Sequence, residues 1–140
     1  MNIYNRPFDD QSQVRVRLET IAVFEILQMV KSGSLLLVWS FMLEYENSLN
    51  PYDDIRIEIE RVSSLASEDV MSSENIRKAA RQYEKKGIKP RDALHVACAV
   101  KSGAEYFLSC DDKLVRKAAI LGTNLKMVNP VDFIREVEVN

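Results

Sequence analysis

Leu35-Leu36-Leu37-Val38-Trp39 is apolar at every position and sits between two segments of helical periodicity; nothing else in this 140-residue chain restricts its fold as much. Five residues are too few for a helix, and a strand apolar on both sides belongs in a parallel sheet covered on both faces. Upstream, Val14, Leu18, Ile21, Ala22, Ile26, Met29 and Val30 recur at three- and four-residue spacing, so residues 12–31 read as one amphipathic helix ending near Gly33. Downstream, Ser40 is a natural N-cap for a helix over 41–49, which stops at Asn50-Pro51 and resumes over 52–66. A further helix spans 73–86 and ends at Gly87; Pro90 then opens a helix through Asp92-Ala93-Leu94-His95-Val96-Ala97-Cys98-Ala99-Val100, apolar around most of its circumference and therefore buried. Residues 105–110 read as a strand, Asp111-Asp112 as the start of a helix running to Gly122, 125–128 as a strand and 130–136 as a last helix. Short apolar strands alternating with helices predict an α/β fold, a three-layer α/β/α sandwich around a parallel sheet of four or five strands. With no linker, repeat or low-complexity tract, residues 1–140 are expected to form one domain.

Composition decides between partners rather than folds. The apolar run at 35–39 is far below the ~18 residues of a bilayer crossing, and no basic-then-apolar leader opens the chain, so a cytoplasmic protein with no membrane association is expected. Net charge is −2, which exerts no general pull on a polyanion. Any contact with nucleic acid must therefore rest on local charge or on metal. Cys98 and Cys110 lie in apolar segments without cysteine or histidine partners at metal spacing, and read as reduced structural thiols.

Ligands of open α/β sheets sit beyond the carboxyl ends of the strands, and acids stand at both of the apolar ones. Glu44 and Glu46 follow the first. At helical spacing Glu44 is surrounded by Ser40, Phe41, Asn47 and Ser48, and Glu46 by Met42, Leu43, Leu49 and Asn50. Glu46 is thus the carboxylate set among apolar groups, where a charge needs a cation or a donor, and it should be the less exposed of the two. Asp111 and Asp112 follow the second strand, and Asp92 lies in the first turn after Pro90. Asp92 and Asp111 each have a purely structural role open to them, as a helix-start acid and as an N-cap. If Glu46, Asp92 and Asp111 converge, their repulsion poises the place for a hard divalent cation.

The residues now resemble a known family, the PIN (PilT N-terminus) domains. Lys89-Pro90-Arg91-Asp92-Ala93-Leu94-His95-Val96-Ala97-Cys98-Ala99 resembles the helix that bears that family's third acid. Tyr106-Phe107-Leu108-Ser109-Cys110-Asp111-Asp112-Lys113-Leu114 resembles its strand-then-acid motif, and Asn129-Pro130-Val131-Asp132-Phe133 its closing segment. Ser40 to Glu46 has the spacing of its second acid from a preceding small hydroxyl residue. The resemblance implies a Mg²⁺- or Mn²⁺-dependent ribonuclease, of the kind found as toxins of toxin/antitoxin pairs, with Glu46, Asp92 and Asp111 as catalytic metal ligands, Asp112 as a further ligand, and Ser109 and Ser40 in support. It also implies a homodimer, expected to use the apolar face over Ile55 to Leu65, and an antitoxin protein as partner. The family's first strand ends in an aspartate; Met1-Asn2-Ile3-Tyr4 stands in its place, cut short, and no aspartate follows Tyr4. Asp9 and Asp10 read as helix-start residues.

Lys89 and Arg91, beside Lys85 and Lys86, flank Asp92 and could guide an RNA backbone. His95 lies one turn after Asp92; with no second histidine or cysteine at ligand spacing it reads as a packed helix residue, with contact to RNA phosphate as its other role. Trp39 is assigned to the core. Two rival functions stand beside the nuclease: an inactive PIN-fold binding module that associates with itself, an antitoxin-like partner or RNA, and an oxygen-ligated phosphatase, disfavoured because no glycine phosphate loop follows a first strand.

Overall fold

In the computed structural model, which describes residues 1–139, Pro90 fixes the first turn of the central helix and Gly103 ends it. This helix, α6 (Pro90–Ser102), follows α1 (Asn2–Asn5), a 3-10 turn (Arg6–Phe8), α2 (Val14–Lys31), β1 (Val38–Ser40), α3 (Phe41–Ser48), α4 (Asp53–Ser63), β2 (Glu68–Val70) and α5 (Glu74–Lys85). After it come β3 (Tyr106–Leu108), α7 (Asp112–Ala118), β4 (Lys126–Val128) and α8 (Pro130–Val139). Gly103 takes φ +73°, and the Gly103 and Ala104 amides donate to the Val100 and Ala99 carbonyls, closing the helix with the left-handed residue that glycine supplies most cheaply. Ala93, Val96, Ala97 and Cys98 are buried on α6 and pack with Ile76 and Ala80 of α5, Ile88, Val70, Leu114, Ala118 and Leu121 into the main core. Phe107, Met127 and Val38 pack against the same cluster, so strands from both ends of the chain share it.

The fold is α/β, and the strands are parallel. β1 pairs with β2 (Val38 opposite Glu68) and β3 with β4 (Tyr106 opposite Lys126). The expected single sheet of four or five strands is instead two two-stranded ladders among the described residues. β2 escaped the sequence reading because Glu68-Asp69-Val70 is short, charged and exposed at its first two positions. At the other ladder edge the apolar run contributes less than expected: pairing begins only at Val38, and Leu36 is 79% exposed. Residues 2–5 are helical, not a shortened strand, and lead directly into the 3-10 turn fixed by Pro7.

The helix over 14–31 is present, but its buried face differs from the predicted one. Val16, Glu19, Ala22, Val23 and Ile26 point inward, while Val14, Leu18 and Ile21 are exposed. The reason is Glu19, 1% exposed, which accepts from Asn129 Nδ2 at 2.5 Å and from Arg15 Nε at 3.2 Å. Arg6 Nε stands 3.2 Å from its other oxygen, an ion pair without hydrogen-bond alignment. Two donors and two positive charges thus offset the burial of one carboxylate and rotate the helix to present it inward. Of the α4 face expected to pair two copies, Ile59 is buried within the chain itself and Ile55, Val62 and Leu65 are partly buried. Cys98 and Cys110 are free and buried, and burial pushes the Cys98 thiol up to about 11. Among the described residues no helix is long and apolar enough to cross a membrane.

Candidate metal and nucleic-acid site

Ser40 ends β1 in extended backbone and caps α3, its Oγ accepting from the Leu43 amide at 3.3 Å; this starts the helix that carries Glu46. Glu44 turns outward and accepts from Trp39 Nε1 at 3.0 Å, while Glu46 is half-buried. The order of exposure between the two glutamates is the expected one, and Trp39 is in the core. Glu46 Oε1 is paired with Nε2 of His95, one turn along α6 from Asp92, so the lone histidine binds a carboxylate rather than merely filling space. Burial pushes the Glu46 carboxyl up, but the hydrogen bond and charge of His95, with the Met1 ammonium and Arg91, outweigh it and hold Glu46 below the usual range.

Asp92 is treated differently. Burial pushes its carboxyl up, the negative charges of Asp111 and Glu46 add to that, and the opposing pull of His95 and of the Met1 ammonium does not cancel them. The Met1 amino group is itself buried here, which lowers its affinity for a proton against the raising influence of Glu46 and Asp92. Asp111 serves as the N-cap of α7, its Oδ1 accepting from the Lys113 and Leu114 amides at 3.0 and 3.2 Å. Ser109 supports it: its Oγ accepts from the Asp111 amide and from Asn2 Nδ2, each at 3.1 Å. Asp92 and Asp111 line one crevice of about 40 Å³, together with Lys89, Lys113 and Lys117. Asp112 faces away into a two-pronged ion pair with Arg15, at 2.7 and 2.8 Å. Arg91 lies over the Tyr45 ring, 5.8 Å from its centroid.

Three participants were missed in the sequence. Asn2 bridges the N-terminus to the end of β3, its Oδ1 accepting from the Cys110 amide at 3.1 Å. Arg15 reaches both Asp112 and the Cys110 carbonyl, and Glu19 holds Arg15. The Arg15–Glu19 spacing of four was a legible signal; Asn2 left none.

Carboxylate oxygens suit a hard cation such as Mg²⁺ or Mn²⁺. Among the described residues no three Asp, Glu, His or Cys side chains are grouped closely enough to enclose an ion. What the chain offers is a pair, Asp92 and Asp111, with Glu46 in electrostatic reach. A pair fits Mg²⁺, which keeps several waters and is commonly bound through one or two carboxylates and a substrate phosphate.

The family model for the PIN domain matches residues 11–120. No curated protein and no solved structure matches the chain. PIN is an α/β, nuclease-type fold whose members generally use divalent metals, and the matched span includes Glu46 in the second half of α3, Asp92 in the first turn of α6 and Asp111 at the N-cap of α7. The chain belongs to the PIN-domain family.

Proposed function

We propose that this protein is a Mg²⁺- or Mn²⁺-dependent ribonuclease. The observation that carries the reading is Asp92: a half-buried carboxylate facing Asp111 and Glu46, with its proton affinity raised by burial and by those two charges. Charge left uncompensated in a cleft marks a functional site more often than a structural one. A bound ion would supply a water acidic enough to attack a phosphodiester and a counter-charge for the leaving oxygen. Asp92, Asp111 and Glu46 would hold it; Ser109 fixes the Asp111 backbone, and Lys89, Lys113 and Lys117 draw the phosphate to the crevice. His95 holds Glu46 in place when the carboxylate has no other partner.

A second reading, a PIN-fold binding module that cuts nothing, has its own observation in its favour: Glu46 is committed to His95 and Asp112 to Arg15, which leaves two carboxylates rather than four. Incubation with labelled single-stranded and structured RNAs in Mg²⁺, Mn²⁺ or chelator separates the two. Metal-dependent cleavage that Asp92→Asn abolishes supports the nuclease. Retarded but intact RNA under every condition supports the module.

A further inference from the structure

Asp111 stands between two residues that one guanidinium holds. Arg15 Nη2 donates to the Cys110 carbonyl at 3.2 Å, just before Asp111 in the chain. Just after it, Nη1 and Nη2 donate to the two carboxylate oxygens of Asp112 at 2.7 and 2.8 Å. The grip crosses 97 residues of sequence, from α2 to the start of α7. Arg15 is itself anchored: its Nε donates at 3.2 Å to Glu19, one turn further along α2, which is buried and bound by Asn129 Nδ2. Ser109 and Asn2 fix the same segment from the other side, Ser109 Oγ accepting from the Asp111 amide and Asn2 Oδ1 from the Cys110 amide. Asp111 commits its Oδ1 to the Lys113 and Leu114 amides, which leaves Oδ2 as the oxygen for a cation. Stability does not account for the grip. The Arg15 and Asp112 side chains are each 52% exposed, and a screened pair of that kind contributes little to folding. What a two-pronged contact supplies is direction, because a planar guanidinium and a carboxylate meet in one orientation.

We infer that Arg15 is a positioning residue for the acid site: it clamps the Cys110–Asp112 segment onto α2 and so sets where Asp111 meets a divalent cation shared with Asp92. The inference rests on the metal-dependent reading above. It gives Asp112 a part played through Arg15 rather than as a ligand of its own, since both of its oxygens face the guanidinium. The sign of the charge separates placement from electrostatics. A positive group near a cation site opposes the cation, so its removal would by itself strengthen binding. Weaker binding on removal is the signature of lost placement.

The test is Mn²⁺ binding to the full chain without RNA, followed by electron paramagnetic resonance of the free ion, with thermal unfolding of each variant alongside. Arg15→Met and Arg15→Lys should each weaken Mn²⁺ binding by roughly 10- to 100-fold, the range for a residue that orients a metal ligand. Lysine fails because one ammonium cannot make the two-pronged contact, but it keeps a cation beside Glu19, so its unfolding midpoint should stay close to wild type. Asp112→Asn should weaken binding too, and combining it with Arg15→Lys should add nothing, since both changes release one contact. Arginine variants that bind Mn²⁺ as wild type does, or more tightly, overturn the inference. Additive losses overturn it by making Asp112 a ligand, and a lysine variant that loses fold and affinity together overturns it by making Arg15 a purely structural partner of Glu19. Cleavage in Mg²⁺ is scored separately. A wild-type chain that binds Mn²⁺ through the clamp and cuts nothing removes the nuclease and leaves the inference, whereas metal binding and cleavage that ignore Arg15 remove the inference and leave the nuclease. A wild-type chain that binds no Mn²⁺ removes both.

Discussion

Glu19 and Asp92 are both carboxylates taken out of bulk water, and the molecule does opposite things with them. Glu19, the deeper of the two, is met by Arg6, Arg15 and Asn129. Asp92 faces Asp111 and Glu46, and their charge together with burial outweighs the pull of His95 and the amino terminus. A buried charge surrounded by donors serves as a joint, here between α2, the 3-10 turn and the segment before α8. A buried charge left among its own kind is kept for something the chain does not itself contain. Burial alone therefore does not separate structural from functional acids; the sign of their neighbours does.

The contrast is broken most severely at Glu19. Glu19→Ala should cost about 3 kcal/mol, the lower end of the range for a broken buried pair because both arginines keep some water, and should lower the midpoint of thermal unfolding by roughly 10 °C. A loss under ~1 kcal/mol in urea titration would show that the joint is not one. Asp92→Asn should do the reverse, leaving the midpoint unchanged or higher while reducing Mg²⁺-dependent cleavage by at least ~10²-fold, the scale of a misplaced reacting group. A variant that loses stability and activity together would mean that Asp92 is a second Glu19.

Titration sharpens the same contrast at smaller amplitude. Asp92 has its folded-state proton affinity raised, so its ionised form costs stability above that raised value, and the cost fades as pH falls toward the unfolded value of about 3.9. Glu46 is shifted down; it contributes stability above the unfolded value of about 4.3 and loses it as pH falls through its lower folded value. At pH 7, Asp92→Asn should therefore stabilise and Glu46→Gln destabilise; the Asp92→Asn curve should converge with wild type below about pH 4, and the Glu46→Gln curve only at lower pH, below the depressed folded value of Glu46. Identical signs at pH 7 would overturn the assignment. The smallest effect is expected at Asp112→Asn, a thermal midpoint within error of wild type, because its pair with Arg15 is half exposed on both sides and solvent screens it.

How far the sequence reached follows from the same charges. The α/β class, the helix positions and the capping roles of Ser40 and Asp111 were legible because local patterns decide them. The inward face of α2 was not: the apolar stripe was read through Leu18 and Ile21, and although the Arg15–Glu19 spacing was legible, nothing local announced that Asn129 and Arg6 would meet Glu19 and bury it. In α3 the same neighbour-counting succeeded for Glu46, whose partner His95 lies on a different helix but whose surroundings are local. The Asn2 contacts to Ser109 and Cys110 span more than a hundred residues, and no period or spacing encodes them.

The two strand ladders carry one more consequence. Each is three residues long, and what joins them among the described residues is the side-chain cluster around α6 rather than a shared row of backbone hydrogen bonds. Amide protons of Trp39 and of Phe107 thus need not be released in one event: each ladder can open on its own clock, and deuterium uptake should divide the molecule into two cooperative units with α6 as the slowest-exchanging segment between them. The acid site draws Glu46 from one unit and Asp111 from the other, so its geometry is set where the two units meet.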